Sequence, residues 1–272
     1  GKKVGVLGVG LSGLAALAAL EAAGAETFAF DDILDTAELP QITITHWLSW
    51  PWDELSTLVV SPGIPHLHPK PHPAALMAAL HVVPIVSEVE LAFRAYPTSR
   101  LVAVTGTNGK STTTALIGHC LQHAGIPVAV GGNIGTAACA LNDPGATGVI
   151  VLELSSYQLE TTPSLATDVA VLLNISPDHL DRHDGMAGYV AAKRSILDRL
   201  RDGGTAVLGI GDAYVRNLAS TYEMRGTHIL RADPQHAPIA QQNSPALAGL
   251  HNAENAAAAA AAVRCFGVYE DT

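Results

Sequence analysis

Leu101-Val102-Ala103-Val104-Thr105-Gly106-Thr107-Asn108-Gly109-Lys110-Ser111-Thr112 decides the fold. Residues 101–105 form a short apolar run with the character of a buried strand. Residues 111–124 read as a helix that stops at Gly125. Between them lies a glycine-bearing loop ending in Gly-Lys-Ser, which matches a phosphate-binding loop. The full pattern wants a glycine where this chain has Val104, so the loop is a shortened variant. Its parts keep their physical sense. Backbone N–H groups at a helix N-terminus cradle phosphate oxygens, Lys110 reaches the outer phosphates, and Ser111 offers its hydroxyl to Mg²⁺. A solvated surface turn is the plain alternative, and the strand–loop–helix setting argues against it.

The same alternation recurs on both sides. Residues 149–154 and 169–174 are strands of continuous apolar character, as central parallel strands have. Residues 189–200 read as a helix, 205–208 as a strand, and 251–266 as a helix holding seven consecutive alanines. Alanine is the best helix former, and packing is the ordinary reading of that run. Towards the N-terminus, 3–8, 27–30, 57–61 and 82–86 are expected strands, and 14–23 and 74–80 are expected helices. This unit ends near 90–93, and 96–99 is a plausible linker. At 272 residues, two domains are expected. Strands alternating with helices imply parallel, doubly wound sheets. The expected class is α/β: a Rossmann-like domain over 1–95, then a P-loop NTPase-like domain over 96–272.

Composition narrows the function. Fifteen Lys+Arg face 25 Asp+Glu, a formal charge of −10, and aromatics are 5%. That balance disfavours a nucleic-acid surface, which wants basic patches and stacking platforms. It does not exclude nucleotides, which local loops of N–H groups can hold. No apolar run reaches membrane-spanning length, and Gly1-Lys2-Lys3 leads straight into a strand-like segment, so neither a span nor a signal peptide is expected. Cys120, Cys139 and Cys265 share no metal-type spacing, which suits a reducing cytoplasm.

Further motifs carry chemistry. Gly8-Val9-Gly10-Leu11-Ser12-Gly13 follows a strand and opens a helix, with Asp31 and Asp32 near the distance of a ribose-binding acid. NAD(P) or FAD, another nucleotide diphosphate, and simple strand–helix packing all stay open. Glu153 ends a strand, where ligands of open α/β sheets sit, so it is either a Mg²⁺ contact or an ion-paired strand end. Asn174-Ile175-Ser176-Pro177-Asp178-His179-Leu180-Asp181-Arg182-His183 crowds polar groups after an apolar run. These could hold a metal or a phosphate, or form a solvated loop with a cap. Lys193 lies on a mostly apolar helix, where a snorkelling lysine is usual. Asn252 and Asn255 share a helix face and suit either a nucleobase edge or capping.

Taken in order, these pieces resemble the Mur ligase family across essentially the whole chain. The Gly-Thr-Asn-Gly-Lys-Ser-Thr loop is common to several of its members and, in variant form, to folylpolyglutamate synthases. Glu153-Leu154-Ser155-Ser156-Tyr157-Gln158-Leu159-Glu160 is similar to its D-glutamate-adding branch. So are Gly131-Gly132-Asn133-Ile134-Gly135 and the N-terminal glycine turn combined with Ser61-Pro62-Gly63-Ile64. The resemblance implies a cytoplasmic, ATP-dependent amide ligase of peptidoglycan precursor synthesis. It would add D-glutamate to UDP-N-acetylmuramoyl-L-alanine through an acyl phosphate, with no nucleic-acid or membrane partner. It assigns ATP to Gly106, Thr107, Asn108, Gly109, Lys110, Ser111 and Thr112, with Asn252 and Asn255 on the adenine side. It implies two Mg²⁺ ions, one served by Ser111 and Glu153 and the other by His179, with a carbamylated Lys193 in support, and assigns catalysis to Lys110, Glu153, His179 and Lys193. The UDP-linked substrate falls to Leu11, Ser12, Asp31, Asp32, Ser61, Pro62, Gly63, Asn133, Ser155 and Gln158. The diphosphate at the first glycine turn is then the sugar nucleotide's, which displaces the NAD reading.

Two departures stand out. Relatives often carry a basic residue shortly after the first-domain acid, whereas Asp32 is followed by Ile33. Family members also continue into a C-terminal domain that binds the incoming amino acid, and this sequence stops at Thr272. The expectation is a chain that binds both nucleotides without completing the amide. Another Mur or folylpolyglutamate-type ligase is the alternative within the class. An NAD-dependent oxidoreductase is the alternative outside it.

Overall fold

The computed structural model describes residues 1–34, 42–96, 98–238 and 244–269. Pro97 of the expected linker and the end of the second expected domain lie outside the described residues. Two parallel sheets follow one another along the chain. The first has four strands, β1 (Lys3–Leu7), β2 (Glu26–Phe30), β3 (Leu55–Val60) and β4 (Ile85–Val86), in the order β2-β1-β3-β4. Its helices are α1 (Leu11–Ala22), α2 (Pro73–Leu80) and α3 (Glu88–Ala95). The second has six strands: β5 (Arg100–Thr105), β6 (Val128–Gly132), β7 (Val149–Glu153), β8 (Thr167–Leu172), β9 (Leu200–Gly209) and β10 (His228–Ala232). Their order is β10-β9-β8-β5-β7-β6. With it run α4 (Lys110–His123), α5 (Ser156–Glu160), α6 (Met186–Arg194), α7 (Ala213–Met224) and α8 (Leu250–Arg264). The expected α/β class with two parallel-sheet units is what the chain adopts.

The period of two along β5 builds the second core. Leu101 and Ala103 enter one buried cluster with Tyr189, Ile196 and Val215, while Val102 and Val104 enter another with Ile117 and Leu121. The alanine run of α8 belongs to that second cluster, where its thin side chains let α8 pack beside α4. Helix α3 serves both units. Val89 and Ala92 join the second sheet's core, and Leu91 packs against the first. With β5 central and paired to β7 and β8, the phosphate loop opens at the middle of the sheet's carboxyl edge.

Some expectations change at element ends. The strand expected over 82–86 shrinks to β4, because Val82 has φ +56° and Val83 bonds back to the α2 carbonyl of Ala78. The helix expected over 189–200 ends at Arg194 and passes into a 3₁₀ turn at Leu197–Arg199. Strands β6 and β10 and helix α7 are additions to the sequence reading. Among the described residues no helix is long and apolar enough to cross a membrane.

Candidate active site

The phosphate loop is pinned from its neighbours. Gly109 takes φ +84° at the start of α4, and a Cβ there would lie 2.2 Å from Asn255 Oδ1, so only glycine fits between loop and α8. Asn174, just past β8, grips the loop crest twice. Its Oδ1 accepts the Asn108 N–H at 2.8 Å and its Nδ2 donates to the Asn108 carbonyl at 3.1 Å. Its own carbonyl accepts the Thr107 N–H. The Thr107 hydroxyl meets the Tyr189 hydroxyl at 3.1 Å.

Two lysines converge on this loop. Lys110 Nζ donates to the carbonyls of Gly106 (3.0 Å) and Thr107 (2.9 Å), and Lys193 Nζ donates to the same Gly106 carbonyl at 2.7 Å. Lys193 is 2% exposed, so it is no snorkelling side chain. Burial and then the neighbouring Lys110 charge push its ammonium down to about 7, against the pull of Asp178 and Glu153. Burial likewise lowers Lys110, opposed by the same two carboxylates. Glu153 is buried at the end of β7. Its two oxygens accept from Ser111 Oγ (2.7 Å) and Asn133 Nδ2 (3.0 Å).

The polar segment after β8 divides its side chains. Asp178 and His179 face the cleft, with His179 held at φ +50°. His183 turns inward instead, between Glu160 Oε1 and Ser156 Oγ, both at 2.8 Å. Asp181 is exposed. The four therefore do not form one cluster. Among the described residues no group of three or more His, Cys, Asp or Glu converges on a metal position.

At the first glycine turn, Asp31 is largely engaged within the fold. Its oxygens accept the N–H groups of Val9 (2.7 Å), Ile33 (2.9 Å) and Leu34 (3.1 Å). Burial alone would raise its carboxyl, but these donors hold it below the usual value. Ser61 Oγ donates to the Gly8 carbonyl at 2.9 Å, and Asp32 pairs with His72. Leu11 stands exposed at the head of α1, beside the half-buried Ser12. Gln158 is buried in a capping box with Ser155, off the cleft wall, while Ser155 lies on it. Asn252 Nδ2 bonds the Ala248 carbonyl, and its Oδ1 accepts from Asn255.

One cleft of about 280 Å³ joins these parts. Pro62 and Gly63 of the first unit line it together with Lys110, Asn133, Ser155, His179 and Lys193 of the second. Glu153 stands behind, through Ser111 and Asn133. Asn174, Tyr157 and Arg182 are parts the sequence reading did not single out. Position just past a strand was the only signal for Asn174.

A family model described as the Mur ligase middle domain matches residues 104–263. The chain belongs to the Mur ligase family. It is 46% identical to a UDP-N-acetylmuramoylalanine–D-glutamate ligase of Paramagnetospirillum magneticum, over 98% of this chain and 63% of that protein. To the ligase of the same name from Rhodospirillum rubrum it is 43% identical, over 98% and 63%. The chain thus spans just under two thirds of the length of these curated relatives. The fold is similar to the UDP-N-acetylmuramate:L-alanyl-γ-D-glutamyl-meso-diaminopimelate ligase from Neisseria meningitides, with TM-score 0.66 at 19% identity, covering 98% of this chain and 94% of that one. A murein peptide ligase from Psychrobacter arcticus gives TM-score 0.61 at 17% identity, covering 99% and 66%. These Mur ligases frame the reading of the cleft.

Proposed function

We propose that this chain is the substrate- and ATP-binding part of a cytoplasmic ligase that adds D-glutamate to UDP-N-acetylmuramoyl-L-alanine in peptidoglycan precursor synthesis. The two domains divide at about residue 95. The observation that carries the reading is the shared cleft: Pro62 and Gly63 from the sugar-nucleotide side meet Lys110, His179 and Lys193 from the phosphate side. The names of the relatives supply the substrate. The three free cysteines fit a reducing compartment.

The donor set suits Mg²⁺. A hydroxyl and a carboxylate already touch at Ser111–Glu153, and a hard cation that keeps phosphate and water ligands needs only one or two carboxylates from the protein. Ser111 and Glu153 would hold one ion and His179 another, with a carbamylated Lys193 in support. Bound Mg²⁺ would neutralise charge on the phosphate oxygens during transfer. Burial favours the neutral Lys193 amine, and its attack on CO₂, forming a C–N bond and releasing a proton, would give a carbamate whose oxygens serve a cation where an ammonium would repel it.

The loop N–H groups and Lys110 orient ATP, with Asn252 and Asn255 beside the adenine. Leu11, Ser12, Asp32, Ser61, Pro62 and Gly63 seat the UDP moiety around the turn that Asp31 closes, and Asn133 and Ser155 face the muramoyl side, with Gln158 holding Ser155 from behind. The substrate carboxylate takes the γ-phosphoryl group, ADP leaves, and the D-glutamate amine then displaces phosphate. Lys110 meets the charge that develops on the transferred group.

Calorimetric titration of this chain with UDP-N-acetylmuramoyl-L-alanine, UDP-N-acetylmuramate, a UDP-muramoyl peptide and NAD tests the assignment. Tightest binding of the alanine form is expected. Preference for the peptide form would move the chain to another branch of the family, and preference for NAD would overturn the ligase reading.

A further inference from the structure

Arg182 crosses from the second unit to the first. It lies in the 3₁₀ turn Leu180–His183, three residues after His179. Its guanidinium donates to the carbonyls of Gly63 (2.9 Å) and Pro62 (3.4 Å) and stacks 4.4 Å above the Tyr157 ring. A planar fork can serve both carbonyls while lying flat on an aromatic face; an ammonium cannot. Beneath it, His183 is stacked on Tyr157 and bonded to Glu160 and Ser156. The other Glu160 oxygen lies 3.8 Å from His66 Nε2, on the first-unit segment that carries Pro62 and Gly63. The second unit therefore holds segment 62–66 at two points. One hold comes from the same short turn that presents His179, whose ring lies 5.3 Å from Tyr157. The Pro62–Gly63 peptide is trans, so a fixed Pro62 carbonyl also fixes the opposite direction in which the Gly63 N–H is offered.

We infer that Arg182 is a positioning residue. It holds the Pro62–Gly63 turn in register with the phosphate cleft, so that occupancy of the sugar-nucleotide site and of the Mg²⁺-ATP site are felt by one another. This rests on the functional reading above. Movement of the turn by a bound sugar nucleotide pulls on the segment bearing His179, and ordering of that segment by bound phosphates pulls on the turn. A clamp with only a structural role would lower stability without linking the two affinities.

The test titrates the chain with UDP-N-acetylmuramoyl-L-alanine, alone and with saturating Mg²⁺ and the β,γ-methylene analogue of ATP. The ratio of the two dissociation constants is the coupling. A ratio of about five-fold or more is expected in the unsubstituted chain, collapsing to within about two-fold of unity in Arg182→Ala and Arg182→Met. Arg182→Met keeps the apolar stem over Tyr157 without donors, and decides the matter if Arg182→Ala does not fold. Arg182→Lys is expected to restore part of the ratio. If both ligands bind but the unsubstituted ratio is unity, or if the full ratio survives in Arg182→Met, the inference is overturned while the functional reading stands. If neither ligand binds the unsubstituted chain, the functional reading fails and the inference falls with it.

Discussion

The two glycine turns use one backbone device and place charge differently around it. Each opens a helix from the end of a parallel strand, with Gly8 at φ +89° and Gly109 at φ +84°. The first is closed by its own neutral and acidic side chains: Asp31 takes the Val9 N–H and Ser61 caps the Gly8 carbonyl. The second has two ammonium groups crowded on the Gly106 carbonyl, both of lowered pKa. A turn closed by Asp31 and Ser61 suits a ligand whose charge stays constant through the reaction. A turn crowded by two lysines suits a ligand whose charge moves, since preorganised charge is most useful where charge develops. The contrast supports the proposal of carrier binding at the first turn and phosphoryl transfer at the second.

The largest expected break of that contrast is Lys110→Ala. ATP-dependent acyl-phosphate formation, trapped with hydroxylamine, should fall by about 100-fold or more, with sugar-nucleotide affinity unchanged. Retained turnover would remove the phosphate-loop assignment. Next comes Lys193→Ala, which should weaken apparent Mg²⁺ affinity in the same assay by about 10–100-fold. Short carboxylic acids should partly restore it, and indifference to them would argue against a carbamate. Asn174→Ala removes two bonds to the loop crest and should cost about 1–3 kcal/mol of Mg²⁺-ATP binding by calorimetry, again sparing the sugar nucleotide. Equal loss at both sites would mean that Asn174 supports the whole sheet edge rather than the loop.

The smallest effect sharpens the other turn. Asp31→Asn should lower stability by about 1 kcal/mol at neutral pH, read as a drop in melting temperature. The folded carboxyl is depressed, so its contribution is full above the unfolded value of about 4 and is lost as pH falls through the folded one. The gap between wild type and variant should therefore narrow as pH falls below about 4. A gap constant with pH would mean that the charge on Asp31 contributes nothing.

Much of this contrast was legible in the sequence. The run from Leu101 to Thr112 carries strand, loop and helix within one local window, and the structure sets Ser111 2.7 Å from Glu153. Edge strands were harder. β6 closes on two glycines, and β10 is half exposed with Arg231 within it, so neither shows a continuous apolar run. The roles of polar side chains were harder still. Asp31, Gln158 and His183 read equally well as ligand contacts, and only three-dimensional neighbours reveal the backbone groups and partners that engage them. Arg182 was illegible because its partners lie about 120 residues away, in the segment that follows the first sheet's β3.

On the proposed reading, one chain carries two separate nucleotide pockets that meet at a shared cleft. Titrating UDP-N-acetylmuramoyl-L-alanine into the chain already saturated with Mg²⁺ and the ATP analogue tests it most directly. Both ligands held together, one of each per chain, is the expected result. Displacement of one by the other would mean a single pocket and would contradict the account.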